Sequence, residues 1–411
     1  MSVQPCCVIV GAGQAGLQLA VSLRDLEYAG RIVLVGEEAC VPYQRPPLSK
    51  AYLLGKVEPD NLQFRPSTFF QEKKIEYYEG VCVDSVEREQ RQVRLSSNEV
   101  LSYDHLVLAT GASNRRLPLP GIELEGVCEL RSLADAQQVR DRLSGCRKAV
   151  VIGAGFIGME FAAVAAQLGI TVTVVEAASR PFSRALSNDT ADYLAALHRE
   201  QGVVFRCDAQ VNEVLGDASG HVCGVELENE DRIDADLVMT GVGVVPNDSL
   251  ARASGLQVDN GIVVDEYLAT SDPAISAIGD CASYPSAFSD AARVRLESVQ
   301  NAVDQARTLA QRLTGQSIAY TKVPWFWSDQ FDTKLQIAGL SAGHDQTVRR
   351  QQAGKRGFSV FCLRGDRLLA VESVNSPADH LLARKLIEGS ASATKEQIED
   401  PDFDLKLLIN N

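Results

Sequence analysis

The feature that most restricts this chain is an internal near-repeat. Residues 7–37 read CVIVGAGQAGLQLAVSLRDLEYAGRIVLVGE, and residues 149–176 read AVVIGAGFIGMEFAAVAAQLGITVTVVE. Each copy runs from an apolar strand through a glycine-rich turn into a helix, then into a second strand ending in glutamate. Parallel strands need a crossover connection, and a helix is the usual one. The duplication therefore predicts two βαβ units. Short apolar strands alternate with helical segments elsewhere, which predicts α/β architecture.

Both turns have the spacing G-x-G-x-x-G: Gly11, Gly13 and Gly16 in the first, Gly153, Gly155 and Gly158 in the second. The first glycine permits a tight turn, the second lets backbone approach a pyrophosphate, and the third lets helix and strand pack closely. The helix N-terminus adds unpaired N–H groups and the positive end of a dipole. Glu37 and Glu176 close the two units, and a carboxylate there can accept hydrogen bonds from ribose hydroxyls. Two such units predict two dinucleotides, as an enzyme moving hydride between a nicotinamide and a flavin requires.

Composition excludes several other classes. The net charge of −14 is a poor match for nucleic acid, whose phosphates need a basic surface. No stretch of 18 apolar residues predicts a membrane helix. Met1–Pro5 lacks a charged n-region and leads straight into a strand pattern, so no signal peptide is expected. The ten cysteines form no C-x-x-C pair and the five histidines are scattered, so no zinc or iron–sulfur site is expected. Free thiols without a secretion signal point to the reducing cytoplasm.

Beyond the repeat, the motifs PPLSKAYL (46–53), LVLATG (106–111), IGDCA (278–282), RLESVQNAVDQA (295–306) and PWFWSDQ (324–330) are more specific than either glycine turn. With them the chain resembles, over nearly its whole length, the FAD- and NADH-dependent ferredoxin reductases that serve bacterial P450 and Rieske oxygenase systems. The resemblance implies a glutathione-reductase-like fold with two dinucleotide-binding domains and a C-terminal α+β domain. The expected division is a split FAD domain (1–113 and 241–319), an inserted NAD domain (114–240) and a C-terminal domain (320–411).

The resemblance also assigns residues. Ala15, Glu37, Arg45, Lys50, Val83, Arg131, Asp280 and Val299 fall at FAD-contacting positions, with Ala109 of LVLATG among the cofactor-binding residues. Asp280 suits a ribityl hydroxyl, and Arg45 has the fork that suits phosphate. Val83 and Val299 can offer only backbone groups or packing. A helix from about Ser298 to Leu313 should aim its N-terminus at the flavin N1/C2 carbonyl, where its dipole favours the reduced ring. Lys50 and Glu160 are expected as a buried pair beside flavin N5, and are the candidate catalytic residues. Arg184 faces NAD. Gly241 and Gly243 are expected to let backbone approach the nicotinamide, and Trp327 lies near the flavin edge.

Glu176 predicts NADH over NADPH. A 2′-phosphate roughly 5 Å away, at an effective dielectric near 20, is repelled by about 3 kcal/mol before salt screening. Arg180 and Arg184, just downstream, bear on the same choice. Cys40 lies near the ribose end rather than N5 and is expected to be a small buried residue; Cys6 and Cys7 are expected in the core. The implied activity is ferredoxin–NAD(+) reductase, with a [2Fe–2S] ferredoxin as partner and a P450 or Rieske oxygenase downstream. Such ferredoxins are usually acidic, and so is this chain, so docking calls for a local basic patch, with Arg65, Arg293, Arg307, Lys334, Arg384 and Lys385 as candidates, or for apolar contact in its place. Two alternatives share these residues: an NADH-binding flavoprotein resembling apoptosis-inducing factor, and a rubredoxin reductase.

Overall fold

A computed structural model describes residues 4–290, 292–351 and 356–410; Met1–Val3, part of the segment read as lacking a signal peptide, lie outside the described residues. The chain forms two compact units: Met1–Gln44, Gln63–Ser113 and Val245–Phe326 make the first, and Arg45–Leu62, Asn114–Val244 and Trp327–Asn411 the second.

The first unit is built on a five-stranded parallel sheet. Its order is Ile275–Ala277, His105–Leu108, Cys6–Val10, Arg31–Gly36 and Ile75–Glu79. Cys6–Val10 is buried at all five positions, as a central parallel strand covered on both faces must be. Cys6 and Cys7 lie in this core as expected. The helix Gln14–Asp25 presents Ala15, Leu19, Ala20 and Leu23 inward and packs against the helix Val299–Leu313. Ser298 caps that second helix, its hydroxyl accepting the Asn301 N–H at 3.1 Å, which places the helix start where the sequence predicts it.

The second unit holds a sheet of the same kind and one of a different kind. The parallel sheet runs Val204–Arg206, Thr171–Val175, Lys148–Ile152, Leu237–Thr240 and Val127–Cys128. The helix Phe156–Gln167 is buried without interruption from Gly158 to Ala165. Its sequence, FIGMEFAAVAAQ, is apolar apart from Glu160 and the terminal Gln167, which suits a helix buried over most of its length. The other sheet is antiparallel, in the order Trp325–Gln330, Thr333–Gly339, Arg367–Val374, Phe358–Arg364 and Gln346–Arg350, and the helix Pro377–Glu388 lies against it. This is the α+β layer expected at the C-terminus.

Two polar ties bind the antiparallel sheet to the helix Asn188–Glu200 in this unit. Glu372 is fully buried, and its carboxylate accepts the Ser187 N–H at 2.8 Å and the Ser187 hydroxyl at 2.6 Å, at the N-terminus of that helix. Near the other end, His198 Nε2 meets Gln330 Oε1 at 2.8 Å. Buried Arg350 donates to the carbonyls of Ile398, Asp400, Pro401 and Phe403, which holds the C-terminal segment down.

Candidate functional site: two glycine turns and a buried ion pair

In the first unit, close packing accounts for two of the three turn glycines. Gly11 has φ +107°, and a Cβ there would collide with the Ala109 carbonyl; a Cβ on Gly16 would collide with the Gly11 carbonyl. Gly13 differs. It caps the helix in extended backbone, φ −75° and ψ −163°, which any residue adopts, and a Cβ on it would meet nothing within 4 Å. The space over Gly13, at a helix N-terminus without acidic residues in its first turn, fits a pyrophosphate.

Other expected FAD residues gather around this turn. Gly279 has φ +79°, and a Cβ on it would lie 3.0 Å from that of Ala15, so the Gly279–Asp280 turn approaches the first helix closely. Gln305, fully buried, accepts the Gly279 N–H through Oε1 at 2.7 Å and leaves Nε2 without a protein partner. Val299 begins the capped helix. Glu37 is exposed and lies near the Cys82 thiol, next to Val83; burial and then the Glu37 carboxylate push that thiol above its ordinary range. Cys40 is half-buried rather than buried, because it sits in the loop after the strand with its carbonyl taking the Tyr77 hydroxyl at 2.8 Å.

The second unit repeats the turn. A Cβ on Gly158 would collide with the Gly153 carbonyl, and one on Gly241 would lie 3.2 Å from the Gly158 Cα, so Gly153, Gly158 and Gly241 interlock. Gly155, in extended backbone at φ −82° and ψ −179°, has only the Gly241 carbonyl nearby, 3.8 Å from its would-be Cβ. Gly243 has φ +96° and open space around it. Glu176, half-buried, accepts the Ala154 N–H at 2.7 Å and the Ala178 N–H at 2.9 Å, so its carboxylate is fixed against the glycine turn. Arg180 donates to the Leu186 carbonyl at 3.2 Å, whereas Arg184 is exposed.

The same unit brings Lys50 and Glu160 together. Lys50 rides on a short π-helical turn, Leu48–Tyr52, and its Nζ is 2.7 Å from Glu160 Oε2. Glu160 is 2% exposed and Lys50 20% exposed at the side chain, so the cation alone reaches out of the core. Ser49 also donates to Glu160 Oε2, at 2.5 Å, and Ser328 donates to Oε1 at 2.7 Å. Three donors on one buried carboxylate offset its desolvation. Arg45 donates to the Arg131 carbonyl at 2.5 Å, beside the capping box of Ser132 and Asp135. Trp327 is half-buried on the strand that carries Ser328. Ser49, Ser328, Gln330 and His198 went unnoticed in the sequence. The one available signal was S-D-Q in PWFWSDQ, where alternate polar residues share a strand face.

Among the candidate docking cations, Arg65 stacks over Phe69 at 5.4 Å. Arg293 is committed to the Val264 and Ser283 carbonyls, both at 2.8 Å. Arg307 stands 3.9 Å from Asp304.

The sequence profile described as pyridine nucleotide-disulphide oxidoreductase matches residues 5–306, and that described as reductase C-terminal matches residues 325–409. Rhodocoxin reductase of Rhodococcus erythropolis is 52% identical over 402 residues, covering 98% of this chain and 94% of that protein. The crystal structure of the ferredoxin reductase for the CYP199A2 system from Rhodopseudomonas palustris superposes with a TM-score of 0.95 at 47% identity, covering 98% of this chain and 99% of that one. The putidaredoxin reductase of the covalent putidaredoxin reductase–putidaredoxin complex gives a TM-score of 0.95 at 40% identity, covering 99% and 98%. With both profiles and these full-length relatives, the chain belongs to the FAD- and NAD(H)-using ferredoxin reductases of the pyridine nucleotide-disulphide oxidoreductase family.

Proposed function

We propose that this chain is an NADH-dependent reductase that passes electrons through FAD to a [2Fe–2S] ferredoxin feeding a P450 or Rieske oxygenase. The observation that carries the reading is the pair of glycine turns, each open over its middle glycine, with the Lys50–Glu160 ion pair built onto the second. When bound, FAD supplies the chemistry that turns the two electrons of one hydride into single electrons for two one-electron carriers, with release of NAD⁺ and a proton.

The chain's own residues bind and orient. Gly11, Gly13, Ala15, Gly16, Ala109, Glu37, Val83, Asp280 and Val299, with Arg45 and Arg131, hold FAD. Gly153, Gly155, Gly158, Gly241, Glu176 and Arg184 hold the nicotinamide dinucleotide, and Trp327 shields the ring. Glu176, fixed by two backbone N–H groups, disfavours a 2′-phosphate. Lys50 and Glu160 support hydride transfer by holding a cation where negative charge arrives. Residues 1–113 and 241–319 form the FAD domain, 114–240 the NAD domain and 320–411 the C-terminal domain. The ten free cysteines support a cytoplasmic setting, and no helix among the described residues is long and apolar enough to cross a membrane.

Stopped-flow mixing with NADH, then with candidate ferredoxins, tests this. Lys50→Met and Glu160→Gln should slow flavin reduction on the order of a hundredfold. Gln18 holds the position of Glu160 in the first turn but donates to Ser22, at 3.0 Å; Gln18→Ala should stay within about twofold. Ferredoxin reduction should fall with ionic strength while the NADH step changes little. Turnover that is slow with every carrier would favour a binding flavoprotein, and turnover with rubredoxin alone the rubredoxin alternative.

A further inference from the structure

We infer that Ser328, Gln330 and His198 form a positioning chain that presents Glu160, and through it Lys50, to the hydride-transfer site. The inference rests on the role proposed for that ion pair. Its basis is a continuous hydrogen-bonded run inside the second unit. Glu160 Oε1 takes the Ser328 hydroxyl at 2.7 Å, Ser328 Oγ takes Gln330 Nε2 at 3.1 Å, and Gln330 Oε1 meets His198 Nε2 at 2.8 Å. All four residues are at most 2% exposed.

The chemistry gives the run a direction. A carboxylate paired with Lys50 only accepts, so Ser328 must donate to it. The Ser328 oxygen is then an acceptor, and the Gln330 amide must turn its NH₂ that way. Its carbonyl is left for the other neighbour, so His198 donates from Nε2 and its Nδ1 carries no hydrogen. That agrees with the surroundings: Nδ1 is buried without a partner, tolerable for a bare lone pair but costly for an N–H. Burial also lowers the His198 pKa to about 4, so the ring stays neutral. The rings of Phe331 and Phe205 stand edge-on to the imidazole, with centroids at 4.9 and 6.3 Å.

Every donor in the run thus points toward Glu160, and the bond dipoles reinforce one another around a single anion. Ser328 and Gln330 can do this together because residues two apart on a strand share a face. If the run served packing alone, three fully buried polar side chains would be an expensive choice against apolar ones of the same shape. Acting on the carboxylate that holds Lys50, they fix the cation's position from its buried side.

The test is a set of double-mutant cycles on the FAD-loaded enzyme. The flavin reduction rate by NADH and the midpoint potential of the bound flavin are measured for Ser328→Ala, Gln330→Glu, Glu160→Gln and the two doubles containing Glu160→Gln. Gln330→Glu keeps size and pulls the Ser328 hydroxyl away from Glu160, so it covers the case in which Ser328→Ala disturbs packing. Loss of one charge-assisted donor should slow reduction about tenfold in Ser328→Ala and in Gln330→Glu. In the Glu160→Gln background the same change should cost less than about twofold, because its target is gone. The accompanying shift in midpoint potential should vanish there too, and Ser328→Thr, which keeps the hydroxyl, should restore the rate. If Glu160→Gln is slow but the losses add fully and the potential never moves, the chain is structural and the inference falls alone. If Glu160→Gln reduces as fast as the wild type, the role of the ion pair falls and the inference with it.

Discussion

The two βαβ units use one backbone device and furnish it differently. In both, the first and third glycines are required by close packing, and the middle one leaves open space at a helix N-terminus. In both, a glutamate closes the unit near a thiol that burial and then the adjacent acid push upward, Cys82 beside Glu37 and Cys207 beside Glu176. The side chains then diverge. Glu37 is exposed, whereas Glu176 is tied to the Ala154 and Ala178 N–H groups. The first helix carries Gln18, turned to Ser22, where the second carries buried Glu160 with its cation. In the proposed reading, phosphate recognition belongs to the backbone of both turns, whereas nucleotide choice and support of hydride transfer are assigned to Glu176 and Glu160 of the second unit, the latter with Lys50.

The strongest way to break this comparison is to fill both open turns. The middle glycines have backbone angles that any residue adopts, so valine should fold there and occupy only ligand space. Gly13→Val should be isolated largely without FAD, read from its flavin absorbance. Gly155→Val should keep its flavin and weaken NADH binding on the order of a hundredfold, the equivalent of about 3 kcal/mol. Loss of flavin from both variants would show that the turns are not separately assigned.

A smaller effect sharpens the contrast between the two acids. Glu176→Ala should narrow the preference for NADH over NADPH by up to about a hundredfold, in line with the repulsion expected at this distance. Glu37→Ala should weaken FAD retention about tenfold and leave the nucleotide preference alone. Equal efficiency with NADPH in the wild type would overturn the electrostatic argument.

In their response to acid the units should behave alike. Burial lowers the pKa of His198 to about 4, and burial, then Arg312, does the same to His105 in the first unit. The unfolded chain takes up these protons below about pH 6.5 while the native protein does not until about pH 4. Each imidazole therefore contributes stability above pH 6.5 that is lost as pH falls toward 4. For fully buried His198 the share is at most about 3 kcal/mol. The urea midpoint should fall over that window, and less steeply in His198→Gln; identical slopes would place the acid sensitivity elsewhere.

How much of this was legible depends on how local the cause is. The glycine turns, their closing acids and the Ser298 cap follow from rules that span a few residues, and all lie where the sequence places them. Lys50 and Glu160 stand 110 positions apart with nothing local to pair them; only family resemblance joined them. Ser328, Gln330 and His198 were missed because a buried polar run depends on which face a strand turns inward and on what another element brings to meet it. The PWFWSDQ motif drew attention to Trp327, although its polar neighbours reach the ion pair. Cys40 was misplaced for a related reason: its small size suggested burial, but a loop position decided its exposure.

The helix Asn188–Glu200 is held near both ends by the antiparallel sheet, at Ser187 by Glu372 and at His198 by Gln330. This bears on inheritance. The reductase C-terminal segment scores as a separate sequence unit, yet its removal or exchange would strand a capping serine, a buried carboxylate and a buried imidazole on opposite sides of the cut. Ser187, His198, Gln330 and Glu372 therefore have to travel as a set. A chimaera joined near residue 320 inherits a matched helix only if both parents carry the same four residues, so the boundary that looks simplest to recombine in the sequence is constrained by chemistry at both ends of one helix.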